Sequence, residues 1–195
     1  MAQTRRLVLA STSPYRRALL DRLGLAFETA APHFEESALP GESAAATALR
    51  LSVGKAQSLA RDFPGALIIG ADQVASSEGA RLGKPLDHAT AVRQLKALSG
   101  KAARFDTAVS LLDSREGELQ SRVVACQVEF RQLDERRIEA YLRREQPYDC
   151  AGSAKAEGLG IALIERIATD DPTSLIGLPL IALTGMLERA GLSVL

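Results

Sequence analysis

The chain has 195 residues, 46% of them hydrophobic and 25% charged, with 24 basic against 24 acidic side chains. That length suits one domain, expected over 1–195, and with aromatics at 4% and no Trp its core must be aliphatic. Balanced charge excludes a global field that would gather a nucleic-acid backbone or an anionic membrane, so any affinity for anions belongs to a local site.

Arg5 and Arg6 precede Leu7-Val8-Leu9-Ala10. This apolar run is too short for the core of a secretory signal and reads as a buried strand. No run approaches membrane-spanning length, and the expectation is a cytoplasmic protein. Ser13 suits a helix N-cap and Pro14 the first helical position. Ala18, Leu19, Leu20 and Leu23 then form an apolar stripe that Gly24 ends. Residues 27–34 look extended and lead into Glu35-Glu36, and Pro40-Gly41 breaks the chain. A helix is expected over 43–61, with Leu49, Val53, Ala56 and Ala60 on its apolar face. Ala66-Leu67-Ile68-Ile69-Gly70 reads as a second buried strand that delivers Asp72 at its C-terminal end.

Residues 74–82 suit a hairpin turning at Glu78-Gly79, and 87–98 a helix stopped near Gly100. Residues 105–112 and 122–130 read as strands joined by a polar segment, with Val124, Cys126, Val128 and Phe130 on one face. Asp134 caps a helix through 144, and 161–167 is a short strand. Gly177-Leu178-Pro179 introduces a last helix that Gly191 ends. Strands in both βα and hairpin order predict an α/β protein with a mixed sheet. Cys126 and Cys150 form no CxxC pair, and His33 and His88 lie far from both in sequence, which argues against structural zinc. Two reduced thiols or one disulfide remain open.

Two segments carry residues suited to phosphate chemistry. In Ser11-Thr12-Ser13-Pro14-Tyr15-Arg16-Arg17 a strand runs into a helix start, where backbone N–H groups, the helix dipole, hydroxyls and a guanidinium can meet phosphate oxygens. It lacks the GK[ST] ending of a Walker loop, and an ordinary N-cap with surface arginines is the alternative. In Gly70-Ala71-Asp72-Gln73 a carboxylate past an apolar strand can hold a divalent metal or take a proton from water, or can simply cap a turn. Lys84, in Gly83-Lys84-Pro85, can be folded back toward Asp72 by the hairpin, or can be solvated. Lys55 lies within a helix, where a surface charge is the ordinary reading. Glu35-Glu36 supplies a metal carboxylate or a solvated acidic loop. With no histidine or cysteine motif, this inventory suits metal-assisted phosphate chemistry.

Leu9-Ala10-Ser11-Thr12-Ser13-Pro14-Tyr15-Arg16-Arg17 resembles the opening signature of the Maf family of nucleotide pyrophosphatases. Ile69-Gly70-Ala71-Asp72-Gln73-Val74 is similar to that family's catalytic-aspartate strand. Gly83-Lys84-Pro85, Cys150-Ala151-Gly152-Ser153, Glu157-Gly158 and Ile176-Gly177-Leu178-Pro179 resemble its later blocks, in order along the whole chain. The resemblance implies a mixed twisted sheet with flanking helices, like inosine triphosphatase, with two lobes around a central cleft. It implies hydrolysis of a nucleoside triphosphate between the α and β phosphates with Mg or Mn, and Asp72 as proton acceptor. Ser11, Ser13, Arg16, Lys55 and Lys84 would bind phosphate, and Asp72 with Glu35 the metal.

Tyr15, Gln73 and Glu157 stand where the dTTP/UTP branch carries Arg, Thr and Gln. They resemble the 7-methyl-GTP branch. N7-methylation makes guanine cationic, so an aromatic face can stack on it and Glu157 can accept from its N1–H and amine. The family also implies a homodimer. Alternatives are a dTTP, UTP or other modified-nucleotide pyrophosphatase, and a non-catalytic nucleotide-binding regulator of cell division.

Overall fold

The computed structural model describes residues 5–37 and 39–195. Among these are seven strands: β1 (Leu7–Ala10), β2 (Glu28–Ala30), β3 (Leu67–Ser77), β4 (Ala80–Leu82), β5 (Ala102–Asp113), β6 (Leu119–Phe130) and β7 (Ile164–Thr169). Five α-helices accompany them: α1 (Pro14–Asp21), α2 (Ala44–Ser58), α3 (His88–Leu98), α4 (Glu135–Glu145) and α5 (Leu180–Arg189). The strand order is β2-β1-β3-β5-β6-β7, with β4 on β3. β1 pairs in parallel with β2 and β3, while β4 and β7 pair antiparallel, so the sheet is mixed as the element order predicts. No helix among the described residues is long and apolar enough to cross a membrane.

The chain divides into two compact units, each assembled from separated stretches. The first holds the chain up to Gln73, Thr107–Val124 and Asp171–Leu195. The second holds Val74–Asp106 and Ala125–Asp170.

In the first unit β1 is covered on both faces, which is why Leu7-Val8-Leu9-Ala10 is continuously apolar. Leu7 and Leu9 point with Leu67 and Ile69 into a core closed by Leu19 and Leu20 of α1 and Leu183 and Leu187 of α5. Val8, Ala10 and Ile68 point the other way, against Ala56 of α2 and Leu59. In the second unit α3 buries Ala91, Leu95 and Leu98, and α4 buries Ile138, Tyr141 and Leu142, where the two helices pack together.

Four helix starts form where side-chain oxygens are expected. Ser13, Ser43, Asp87 and Asp134 each accept the backbone N–H of the residue three positions on. The hairpin turns at Glu78-Gly79, both left-handed, at φ 51° and 80°. Both cysteines are free thiols, and burial pushes that of Cys126 up to about 11.

Three elements depart from the sequence reading. Residues 159–163 form a 3-10 turn, and the strand starts only at Ile164. β3 runs on to Ser77, so Asp72 lies within a strand instead of past its end. The parallel pairing with β1 reaches only Ile69 and the hairpin pairing starts at Ala75, which leaves Asp72 between the two ladders. Finally, α2 buries Ala48, Leu51, Ser52, Lys55 and Ala56, whereas Leu49 is exposed.

Candidate active site

The inner face of α2 sets the first part of the site. Positions 48, 51, 52, 55, 56 and 59 follow a helical stripe, and the stripe places a lysine among small and apolar side chains. Lys55 is 4% exposed and Asp72 is 7% exposed. Lys55 Nζ donates to Asp72 Oδ1 at 2.6 Å and lies 3.0 Å from Glu36 Oε2. A buried ammonium requires such partners, because an unpaired charge away from water is costly. The surface reading of Lys55 is thereby corrected: the chain carries it inward to meet a carboxylate.

Two glycines make this approach possible. A Cβ on Gly70 would overlap the carbonyl oxygen of Ser52 and lie 2.9 Å from the Ala56 nitrogen, so β3 and α2 touch backbone to backbone there. A Cβ on Gly54 would fall within the Phe34 ring, so that ring rests directly on α2. The segment carrying Glu35 and Glu36 is further pinned by His33 N–H donating to Ser58 Oγ and by Arg50 donating to the Ser37 carbonyl. Arg50 is itself held by Glu42, whose carboxyl is pushed down to about 2, chiefly by the hydrogen bonds from Arg50.

Glu36 is the carboxylate that reaches Lys55, while Glu35 accepts a hydrogen bond from Ser37 Oγ at 2.7 Å. Neighbouring side chains of an extended segment point to opposite sides, so one of the pair faces the lysine. The adjacency Glu35-Glu36 carries no signal that decides which.

The α1 start supplies the second part. Ser11 Oγ accepts from Ser13 N–H at 3.1 Å, and Ser13 Oγ accepts from Arg16 N–H. Both hydroxyls act there as acceptors, which leaves each O–H to donate to a phosphate oxygen. Arg16 Nε donates to the Gly177 carbonyl at 2.9 Å, and its two Nη groups are the donors that remain. Burial lowers the Arg16 pKa from its ordinary value, and the charges of Asp72 and Glu36 oppose that shift. Arg16, Lys55, Asp72 and Glu36 therefore form one electrostatic cluster of two cations and two carboxylates.

Gln73 is anchored: its Nε2 donates to Thr107 Oγ1 at 2.9 Å and to the carbonyls of Ser174 and Leu175 at 2.9 and 3.0 Å. These three acceptors fix which way the amide points, and its Oε1 is the atom left for a ligand. The 172–177 turn that receives Gln73 and Arg16 is tied down by Asp171, buried at 2% exposure. Asp171 accepts from Thr173 Oγ1 and from the backbone N–H groups of Ile181 and Ala182. Tyr15 is half-buried on the first turn of α1.

Lys84 and Glu157 belong to the second unit, and both are exposed. There the Gly83 carbonyl accepts from Gln94 Nε2 at 3.0 Å and from Gly152 N–H at 3.4 Å, which joins the Lys84 turn to the 150–153 block. The loop bearing Glu157 is anchored to α4 at Lys155, whose N–H donates to Tyr141 Oη, and at Leu159, whose N–H donates to Glu145 Oε2.

Asp72 and the adjacent Glu35-Glu36 pair offer hard oxygen donors of the kind Mg²⁺ and Mn²⁺ take. Among the described residues no group of three or more His, Cys, Asp or Glu gathers as a metal site. One or two carboxylates are nevertheless the usual protein share of a Mg²⁺ site completed by substrate phosphates, so the donor set fits.

A family model described as Maf-like protein matches residues 6–190. The chain is 58% identical to a protein of Thiobacillus denitrificans named 7-methyl-GTP pyrophosphatase, over 97% of this chain and 94% of that protein. Proteins of the same name from Cupriavidus pinatubonensis and Bordetella avium are 55% and 54% identical. The first match covers 95% of this chain and 94% of that protein, the second 100% and 98%.

Proposed function

Since the chain belongs to the Maf family, we propose that it is a cytoplasmic nucleoside triphosphate pyrophosphatase that converts 7-methyl-GTP to 7-methyl-GMP and diphosphate. The observation that carries the chemistry is the buried Asp72 carboxylate, held by Lys55 at 2.6 Å within the electrostatic reach of Arg16. The substrate is the one named for relatives at more than half identity over nearly the full chain.

In this reading the hydroxyls of Ser11 and Ser13 and the Nη groups of Arg16 take phosphate oxygens at the start of α1. Lys55 exchanges a carboxylate for a phosphate oxygen when nucleotide arrives, and this frees Asp72 to orient a water and accept its proton. The water oxygen bonds to the α-phosphorus, the bond to the bridging oxygen breaks, and diphosphate leaves. Arg16, Lys55 and Lys84 stabilise the charge that builds on the leaving group. A divalent cation held by Asp72 and Glu35 or Glu36 would neutralise phosphate charge and polarise the phosphoryl oxygens. Glu36 joins the carboxylates first expected because it is the one that faces Lys55.

Tyr15 is assigned to stack on the cationic base and Glu157 to accept from its N1–H and amine. Gln73 holds the 172–177 turn and offers its Oε1. Diphosphate release from 7-methyl-GTP, GTP, UTP and dTTP, with and without Mg²⁺, tests the proposal. It expects 7-methyl-GTP to be turned over fastest. Preference for the pyrimidines removes the assignment of Tyr15 and Glu157. Nucleotide binding without diphosphate release makes the protein a binding regulator.

A further inference from the structure

Glu145 ends α4, where a negative charge meets the negative end of the helix dipole. Its two basic neighbours, Arg143 and Arg144, suit that position, and the acid does not. Its carboxylate is turned instead onto the segment that carries Glu157. Oε1 lies 2.9 Å from Lys155 Nζ, and Oε2 accepts the Leu159 N–H at 2.7 Å. The loop between these two anchors is wrapped tightly. Gly158 N–H and Gly160 N–H both donate to the Lys155 carbonyl at 3.0 Å, and Lys155 N–H donates to Tyr141 Oη at 2.9 Å.

The glycines are required by this packing. A Cβ on Gly158 would stand 2.7 Å from Glu145 Oε2, and one on Gly160 would overlap the Lys155 backbone. Glu157, exposed, sits in the middle of the clamped turn. The Glu145 side chain is only 12% exposed. The Leu159 N–H and Lys155 hold its carboxyl below its ordinary range, so the clamp stays charged at neutral pH.

We infer that Glu145 is a positioning residue for base discrimination, gripping Lys155 and Leu159 so that the Glu157 carboxylate is presented in one place. The inference rests on the reading of Glu157 as the group that receives the base. A carboxylate that must accept two donors at once tolerates little displacement, so a loosened turn weakens recognition of a purine carrying those donors. It leaves a pyrimidine lacking them nearly untouched.

The test compares kcat/KM for 7-methyl-GTP and for UTP in the wild type, Glu145→Gln, Glu145→Ala and Glu157→Ala. Glu145→Gln keeps an acceptor for the Leu159 N–H and loses the ion pair, so it preserves the fold if the alanine variant does not. The ratio of the two values is expected to fall about tenfold in Glu145→Gln, through KM for 7-methyl-GTP, with UTP turnover within about twofold of wild type. Glu145→Ala should approach the ratio of Glu157→Ala, and the double alanine variant should fall no further. A purely structural role lowers both substrates equally, so a wild-type ratio in Glu145→Gln overturns the inference alone. A wild type that shows no preference for 7-methyl-GTP overturns the substrate reading, and the inference with it.

Discussion

At the scale of single residues, the proposed chemistry depends on a carboxylate kept from water and yet not locked away. Lys55 and Glu36 provide that state: one ammonium shared between two carboxylates. Asp72→Asn removes the proposed proton acceptor and keeps the shape. Its kcat for diphosphate release should fall at least about a hundredfold, while nucleotide affinity measured by calorimetry stays within about threefold. Near wild-type turnover would take Asp72 out of the mechanism. Asp72 was legible in the sequence because a charge follows the apolar and small residues 66–71. Lys55 was named only through the family resemblance, and its burial was not legible from pattern, since the stripe through Leu49 and Val53 competes with the stripe through Ala48, Leu51 and Ser52. Small residues, which bring a helix close to a strand, mark the second stripe as the buried one. That Glu36 is the neighbour that meets Lys55 required the fold of the 31–37 segment.

At the scale of elements, α2 and β3 must approach closely enough for Lys55 to reach Asp72, and Gly70 sets that separation. Gly70→Ala drives a methyl group into the Ser52 carbonyl, which belongs to the helix backbone and cannot swing aside. The substitution should cost about 1–3 kcal/mol in urea denaturation and lower kcat as α2 moves away. For Gly54→Ala the three atoms nearest the added methyl all belong to the Phe34 ring, a side chain that can rotate out. Its stability should stay closer to wild type, while activity drops because the segment bearing Glu36 loosens. Equal losses of stability in both variants would contradict this distinction between backbone and side-chain contacts. The helices themselves were legible from Ser13, Ser43, Asp87 and Asp134, since each cap satisfies a defined N–H. The length of β3 was not, because its continuation depends on pairing with β1 and then β4, and pairing leaves little local trace.

At the scale of the whole molecule, composition and pattern showed an aliphatic α/β chain with balanced charge; a two-lobed chain was implied by the family resemblance alone, and no local feature marks where the two units divide. Each unit joins stretches far apart in sequence, and no linker marks the change. Acid stability is a property of the same scale. Glu42 titrates near 2 in the folded chain against an ordinary 4.5, so its contribution is present above about 4.5 and is lost as pH falls toward about 2. Melting temperatures of wild type and Glu42→Gln should therefore differ at pH 7, draw together as pH falls below about 4.5 and converge only near pH 2, and a gap that widens on acidification would contradict the assignment. The proposed reaction is defined by where water attacks the nucleotide. Turnover in ¹⁸O-enriched water, with the products separated and weighed by mass spectrometry, measures that directly. Attack at the α-phosphorus leaves the heavy oxygen in the nucleoside monophosphate; label found in the diphosphate would mean attack at the β-phosphorus and rule the proposed reaction out.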